Sequence, residues 1–588
     1  MGQKGFNNKV KLAQKWLFLY NIYMSVSNDK NEQNKNIEDF RRREEEALMQ
    51  LLSDEKYHIP YINLSTISID NEALRYVGEA EARTADVAPF KISGKKLLIA
   101  AHAPSRPEVA VILDNIKHHG LEPELYIASR ASLERVWERY LELSNAEASA
   151  TGSIEISGDV IDELSSDIKT IKDVETKIET AGKDSIHFTS HVLQTVLAGA
   201  IKLDASDIHI EPSVESVSIR YRLDGVLQEV IVLPIKFFRL IASRIKLISG
   251  VKITNTEIAQ DGRYSIFING DEISVRVSLI PGAYGESIVM RLLNPKSIRV
   301  GMEELGIPDN LFKLIDVEIR KPNGMILLTG PTGSGKTTTL YSFLQRIYSK
   351  EVKIITIEDP IEYHLAGITQ TQADNEAGYT FASGLRSALR QDPEVIMVGE
   401  IRDNETAEVA IEAALTGHIV FSTLHTNNAA GVIPRFIDLG VNPKILVSAL
   451  SLSIAQRLVR KVCSKCVSYK PAEKREVDEI NKTLDEAINN TKDLKIYGVE
   501  KMDNYEIAVP HGCEACNFTG YKGRLGIFEA IYNDASIQAI IPNNPSEREI
   551  EMVANKQGIL NMKEDGIVKV IKKITTLEEV KSVVSLSD

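Results

Sequence analysis

At 588 residues the chain is too long for a single hydrophobic core, and length alone suggests roughly three to five domains. Apolar content of 43% and charged content of 26% are those of ordinary soluble globular protein, and a net charge of −13 argues against a surface that coats nucleic acid. The 4 cysteines form two C-x-x-C pairs, which does not suit a secreted disulfide framework.

The first elements carry little chemistry. Residues 1–50 read as a partly disordered N-terminal extension, basic and aromatic at first, then rich in Asn, Lys and Glu through Arg41-Arg-Arg-Glu-Glu-Glu46. Its most apolar run, Trp16-Leu-Phe-Leu-Tyr20, is far too short to cross a bilayer and lacks a small-residue cleavage site, so a cytoplasmic protein is expected. Met24 is a second candidate start. Over residues 55–145, strand-like runs (Lys95-Lys-Leu-Leu-Ile-Ala-Ala101, Glu124-Leu-Tyr-Ile-Ala128) alternate with helical stretches at 107–118 and 132–143, the pattern of a small α/β domain. Residues 146–184, rich in Ser, Ala, Asp and Glu, read as a linker carrying one acidic helix.

Residues 185–298 form a second module. A helix at 192–201 opens it, followed by alternating runs Val217-Ser-Ile-Arg-Tyr-Arg-Leu223, Arg263-Tyr-Ser-Ile-Phe-Ile-Asn269, Ile273-Ser-Val-Arg-Val-Ser278 and Ser287-Ile-Val-Met-Arg-Leu292. A helix at 236–248 separates the first run from the second. The expected class is α+β, with an antiparallel sheet polar on one face. From 299 to 588 the pattern becomes β-α-β-α, the signature of a parallel sheet.

There the apolar strand Met325-Ile-Leu-Leu328 runs into Gly330-Pro-Thr-Gly-Ser-Gly-Lys336-Thr337, which is G-x-x-x-x-G-K-[ST], and a helix follows. The glycines Gly330, Gly333 and Gly335 allow successive N–H groups to point at one phosphate. Lys336 is placed for the β- and γ-phosphates, Thr337 for Mg²⁺, and the helix start for the anion. Three more strand ends deposit polar groups where an open α/β sheet places its ligands. They are Lys353-Ile-Ile-Thr-Ile-Glu358-Asp359-Pro360-Ile-Glu362, Pro393-Glu-Val-Ile-Met-Val-Gly-Glu400-Ile-Arg402-Asp403, and Gly417-His418-Ile-Val-Phe-Ser-Thr-Leu-His425-Thr-Asn427. Phosphoryl transfer to water needs a metal, a group to hold it and an orienter for the nucleophile. Glu400 and Glu358 are the candidate water-activating and Mg²⁺-side carboxylates, and His425 the candidate γ-phosphate sensor. The ATP-binding set is Gly330, Pro331, Thr332, Gly333, Ser334, Gly335, Lys336, Thr337 and Thr338, with Asp359. Cys463-Ser-Lys-Cys466 and Cys513-Glu-Ala-Cys516 match a closed tetrahedral Zn²⁺ site, and the charged stretch 470–495 between them reads as a protruding insertion.

Together these motifs resemble the secretion-superfamily ATPases of type II secretion and type IV pilus assembly. The resemblance rests on the phosphate loop, the Asp box Ile357-Glu-Asp-Pro-Ile-Glu362, Val398-Gly-Glu-Ile-Arg-Asp403, and the His box Thr416-Gly-His418 with Ser422-Thr-Leu-His-Thr-Asn427. Upstream it extends through Ser206-Asp-Ile-His-Ile-Glu-Pro212, Ile219-Arg-Tyr-Arg-Leu-Asp-Gly225, Gln260-Asp-Gly-Arg263 and Gly285-Glu-Ser-Ile-Val-Met-Arg291, so that it covers residues 185 to 585. It implies a RecA-like P-loop ATPase core preceded by a PAS-like α+β domain, with a zinc-binding insertion at about 461–518 and a C-terminal helical extension. It also implies a homohexamer at the inner face of the cytoplasmic membrane, working with an inner-membrane platform protein and a cytoplasmic docking protein. ATP, Mg²⁺ and Zn²⁺ are the implied cofactors, and no nucleic acid is expected.

Among the second module's arginines, Arg263, Arg276 and Arg291 resemble the family's nucleotide-contacting set; their alternative is a solvated sheet face. Lys573 stands where the family usually has Gly. Residues 59–145 contain no Arg-Leu-Gly motif, so the cyclic-dinucleotide site of some relatives is not expected, and a docking role is. The core fold also serves nucleic-acid motors, which is the competing reading, and whether the machine is for pilus assembly, secretion or DNA uptake stays open.

Overall fold

A computed structural model describes residues 45–586, apart from stretches at 65–66, 68, 75, 94–95, 119–120, 138, 141–157, 181–187, 269–270 and 295–299. The N-terminal extension up to residue 44, with Trp16 and Met24, lies outside the described residues. The chain divides into two units, 1–146 and 147–588. Among the described residues no helix is long and apolar enough to cross a membrane.

The first unit is the expected small α/β fold. Strands β1 (Val87–Ser93), β2 (Lys96–Ala101) and β3 (Glu122–Ile127) form one sheet, antiparallel between β1 and β2 and parallel between β2 and β3. A parallel pair needs a crossover, and the helix Pro107–His118 supplies it. The helix Arg130–Trp137 buries Leu133, Val136 and Trp137, and Trp137 Nε1 donates to the Val87 carbonyl at 2.8 Å. A buried indole keeps its N–H satisfied this way.

In the second unit, residues 207–293 build a six-stranded antiparallel sheet. Its strands are β4 (Asp207–Pro212), β5 (Ser216–Leu223), β6 (Val226–Pro234), β7 (Gln260–Ile268), β8 (Asp271–Ile280) and β9 (Ser287–Leu293), in the order β6-β5-β4-β9-β8-β7. Alternation buries Val217, Ile219, Tyr221 and Leu223 of β5 on one face, and the helices Phe188–Lys202 and Phe238–Ile248 share the same core.

The stretch expected to be a linker with one helix holds two, Gly158–Ser165 and Ile171–Thr180. Ile161, Ile168, Val174 and Ile178 belong to the core of the six-stranded module. A Cβ at Gly199 would stand 2.5 Å from Val174 Cγ2, so this close approach depends on glycine. The acidic surface of these helices reads as linker, whereas their apolar stripe covers the module.

The third part is a seven-stranded sheet in the order β12-β11-β13-β14-β10-β15-β18. The strands are β10 (Gly324–Thr329), β11 (Ile354–Glu358), β12 (Thr369–Gln372), β13 (Val395–Val398), β14 (Ile419–Leu424), β15 (Leu450–Val462) and β18 (Tyr521–Tyr532). All neighbours are parallel except the edge pair β15–β18. Both faces are covered, so the strands read as continuous apolar runs: Met325 and Leu327 enter one core, Ile326 and Leu328 the other. A two-stranded hairpin, β16 (Ser468–Pro471) with β17 (Glu506–Val509), lies within the insertion.

The insertion does not protrude as the charge pattern suggests. Its helix Lys474–Asn489 buries Val477, Ile480, Leu484 and Ala487 in the main core, a stripe at helical spacing. Just beyond it, Lys492 pairs with Glu564 at 2.6 Å, both buried, tying the insertion to the helix Met562–Ile571.

Candidate functional site

Parallel topology brings the polar strand ends to one edge of the sheet. The phosphate loop follows β10, which lies between β14 and β15. Gly330 and Gly335 adopt φ of 144° and 91°. A Cβ at Gly330 would stand 2.7 Å from both the Gln456 carbonyl and Ser334 Oγ, and one at Gly335 would stand 2.9 Å from Gln456 Nε2. These positions require glycine. The helix Lys336–Ile347 begins at the loop. Ser334 Oγ is buried without a hydrogen-bond partner, and Lys336 Nζ rests on the carbonyls of Gly330 (2.8 Å) and Pro331 (3.1 Å). Burial pushes the Lys336 ammonium's pKa down, and the Glu400 charge partly offsets it. A donor cradle with an orphaned hydroxyl and a desolvated cation fits phosphate.

Glu400, just beyond β13, receives Arg402 Nη2 on Oε1 at 2.5 Å and meets His425 Nε2 through Oε2 at 3.1 Å. The structure therefore joins Glu400 with His425, and the Glu400 charge also acts on Lys336. Glu358 ends β11 and is buried differently. Tyr341 OH, Thr356 Oγ1 (2.5 Å) and Gln370 Nε2 (3.1 Å) all donate to it. Burial raises its pKa, the three donors opposing. Asp359 beside it is exposed. His418 sits at the opposite end of β14 from His425, with Nδ1 3.0 Å from the Ala413 carbonyl, and belongs to that far edge.

The three arginines form one rung. Cross-strand register pairs Arg263 with Arg276, Arg276 with Arg291, and Arg291 with Asp207, which also pairs with Arg222. Arg276 donates to the Ile361 carbonyl (2.5 Å) and contacts Glu362 Oε2 (3.1 Å), so the module meets the loop after Glu358. Arg291 binds Asp207 Oδ1 at 3.0 Å, and Arg263 is exposed. None of the three touches the phosphate loop within this chain.

A cavity of about 890 Å³ adjoins Gly335 and Thr338. Val300, Leu305 and Leu458 give it apolar wall, and Asn517 of the second cysteine loop also lines it. Sequence reasoning missed Gln456, Leu458 and Asn517, because only the register of β15 against β10 and the insertion's packing bring them there.

The four cysteine Sγ atoms all lie within 4.8 Å of one another. Cys463–Cys513, Cys466–Cys516 and Cys513–Cys516 separate by 3.9, 3.8 and 3.8 Å. Zn–S bonds of about 2.3 Å set tetrahedral edges of about 3.8 Å, so the donor set fits Zn²⁺. The N–H groups of Cys513 and Gly520 point at Cys516 Sγ at 3.2 and 3.3 Å; against burial, they and the neighbouring thiols bring its pKa down to about 7.

Residues 182–582 match the family described as type II/IV secretion system protein, and residues 57–147 match the MshEN domain. The type IV pilus assembly ATPase PilB of Myxococcus xanthus is 36% identical over 540 residues, 91% of each chain. Type II secretion system protein E of Aeromonas hydrophila is 44% identical over 389 residues, 66% of this chain and 74% of that one. Among solved structures, the pilus retraction motor PilT with bound ADP aligns at 27% identity and a TM-score of 0.45, covering 66% of this chain and 96% of that one. The match over residues 182–582, with a relative aligned along 91% of both chains, places this chain in the type II/IV secretion system protein family.

Proposed function

We propose that the chain hydrolyses Mg²⁺-ATP as the cytoplasmic motor of a type IV pilus or type II secretion machine. It works as a homohexamer docked through its N-terminal unit, and it moves pilin or pseudopilin through an inner-membrane platform. One observation carries the hydrolytic reading: Glu400, held by Arg402 and His425, acts through its charge on Lys336 at a phosphate loop that buries this cation beside the Ser334 hydroxyl.

In this reading the phosphates lie against the loop's N–H groups, and Lys336 exchanges the Gly330 and Pro331 carbonyls for β- and γ-oxygens. The nucleoside extends past Thr338 into the 890 Å³ cavity. Thr337 and the carboxylate side of the site would hold Mg²⁺, which would supply charge neutralisation to the phosphates when bound. Glu400 orients the attacking water, and His425 keeps Glu400 in place and registers the γ-phosphate. Glu358, locked by three donors, is the second candidate for the water. Zn²⁺ at the four cysteines adds local folding energy and no chemistry.

The test is Glu400→Gln. ATP binding is expected to persist while turnover falls about a hundredfold or more, as loss of a transition-state group does. Normal turnover in that variant removes Glu400 and leaves Glu358. A deletion strain separates the machines: loss of surface pili assigns pilin, and loss of exported enzymes assigns pseudopilin.

A further inference from the structure

Arg457 lies on β15 beside the phosphate loop and is absent from the motifs above. Its guanidinium bridges two backbone carbonyls: Nη1 donates to Gln456 at 3.0 Å, and Nη2 to Asn427 at 2.7 Å. The second carbonyl belongs to the segment that follows His425. Nη1 also lies 2.9 Å from where a Cβ on Gly330 would stand. Arg457 is thus wedged between the entry of the phosphate loop and the segment carrying His425.

Among the described residues Arg457 makes no ion pair. The acid whose charge acts on it is Glu529, whose carboxylate accepts the N–H groups of Ala429 (2.7 Å) and Met562 (3.3 Å). Burial lowers the arginine's pKa, and the Glu529 charge opposes this. Lys336 and Arg457 repel each other across the loop. Two desolvated cations sharing one loop, each resting on carbonyls, make a positive field that an anion relieves.

We propose that Arg457 is a positioning residue for ATP hydrolysis: it holds the His425 segment against the phosphate loop and supplies a second fixed charge favouring the γ-phosphate. The planar fork suits this role, since one guanidinium serves two directions at once. The excess negative charge of ATP over ADP strengthens the bridge, and release of phosphate loosens it.

This rests on the nucleotide reading above, and the experiment separates the two. Binding of ATP and of ADP is measured on the full chain carrying Glu400→Gln, alone and with Arg457→Gln or Arg457→Lys. Arg457→Gln is expected to weaken ATP about tenfold while changing ADP less than about threefold, the size of one lost charge-assisted interaction. Arg457→Lys is expected to retain ATP affinity in the Glu400→Gln chain but to lower kcat in the chain with native Glu400, because an ammonium keeps the charge and loses the fork. Equal weakening of ATP and ADP, or none, overturns the proposal, as does native kcat in Arg457→Lys. Should Arg457→Gln fail to fold, the Lys variant alone decides through its kcat. Lys336→Ala is the control: if it binds ATP normally, the nucleotide reading itself fails.

Discussion

Glu358 is a buried acid at the end of β11, close to the site. It is a carboxylate only 3% exposed, and its acceptor capacity is taken by Tyr341, Thr356 and Gln370. Burial raises its pKa above the ordinary 4.5. A raised acid binds protons more tightly in the folded state, so its contribution is complete below the unfolded pKa and is lost as pH rises through the folded one. Glu358→Gln is therefore expected to flatten the decline in stability as pH rises above the ordinary carboxyl value of 4.5. The two hydroxyls can turn to accept from the new amide, so the site stays satisfied. Thermal midpoints of both proteins across that range check this; an unchanged pH slope would mean Glu358 is ionised in the fold at no penalty. The strand-end pattern made Glu358, Glu400 and His425 visible as residues. It did not show which two meet, because that depends on β13 and β14 being neighbours while β11 lies one strand further out.

At the scale of elements, the cysteine loops do more than close a metal site. Asn517, one residue past Cys516, accepts the Ile171 N–H at 3.0 Å and so caps the helix Ile171–Thr180 of the α+β module. One zinc per chain is expected by metal analysis, and a chelator should expose the cysteines to alkylation and raise hydrogen exchange in the helix Ile171–Thr180 before it affects β10. A folded, unstripped preparation without zinc would refute the site. A second element-level prediction concerns Lys573, which sits at φ 61° just after the helix Met562–Ile571 and pairs with Glu506. Left-handed backbone costs a residue with a Cβ about 1 kcal/mol, so Lys573→Gly should be more stable than Lys573→Ala by about that much. Both lose the ion pair, and only Gly loses the strain. Denaturant midpoints of equal value would show that Lys573 is unstrained. The unusual residue was legible in sequence, its backbone geometry was not. The same holds for the helix Lys474–Asn489: its charges are plain, but the four-residue apolar stripe becomes meaningful only against the C-terminal helices.

For the molecule as a whole, the question is how the six-stranded module and the ATPase core act on each other. Motif spacing located both and their class, because phosphate loops and alternating strands carry strong local signals. The linker reading failed because composition does not say what a helix packs against. What sequence alone did not show is the rung in which Arg263, Arg276, Arg291, Asp207 and Arg222 follow one another across the sheet. Asp207 holds Arg222 and Arg291, while Arg276 reaches across to the Ile361 carbonyl and Glu362. Those partners belong to the loop that leaves Glu358, so Arg276 joins the module to that strand end. Arg263 is exposed, and Arg291, though paired with Asp207, is also partly exposed, so on the proposed reading both could meet phosphate from a neighbouring copy. If the module moves against the core in the proposed cycle, an arginine placed on it makes closure depend on the γ-phosphate, and hydrolysis then releases it. Arg276→Ala and Arg291→Ala are each expected to cut turnover at least tenfold with the chain folded and ADP affinity little changed. Mixing Arg291→Ala with Lys336→Ala protein then distinguishes the routes, since partial recovery of activity requires an arginine acting on another copy's nucleotide. No recovery confines Arg291 to its own chain, and native turnover in both single variants returns the rung to a solvated sheet face.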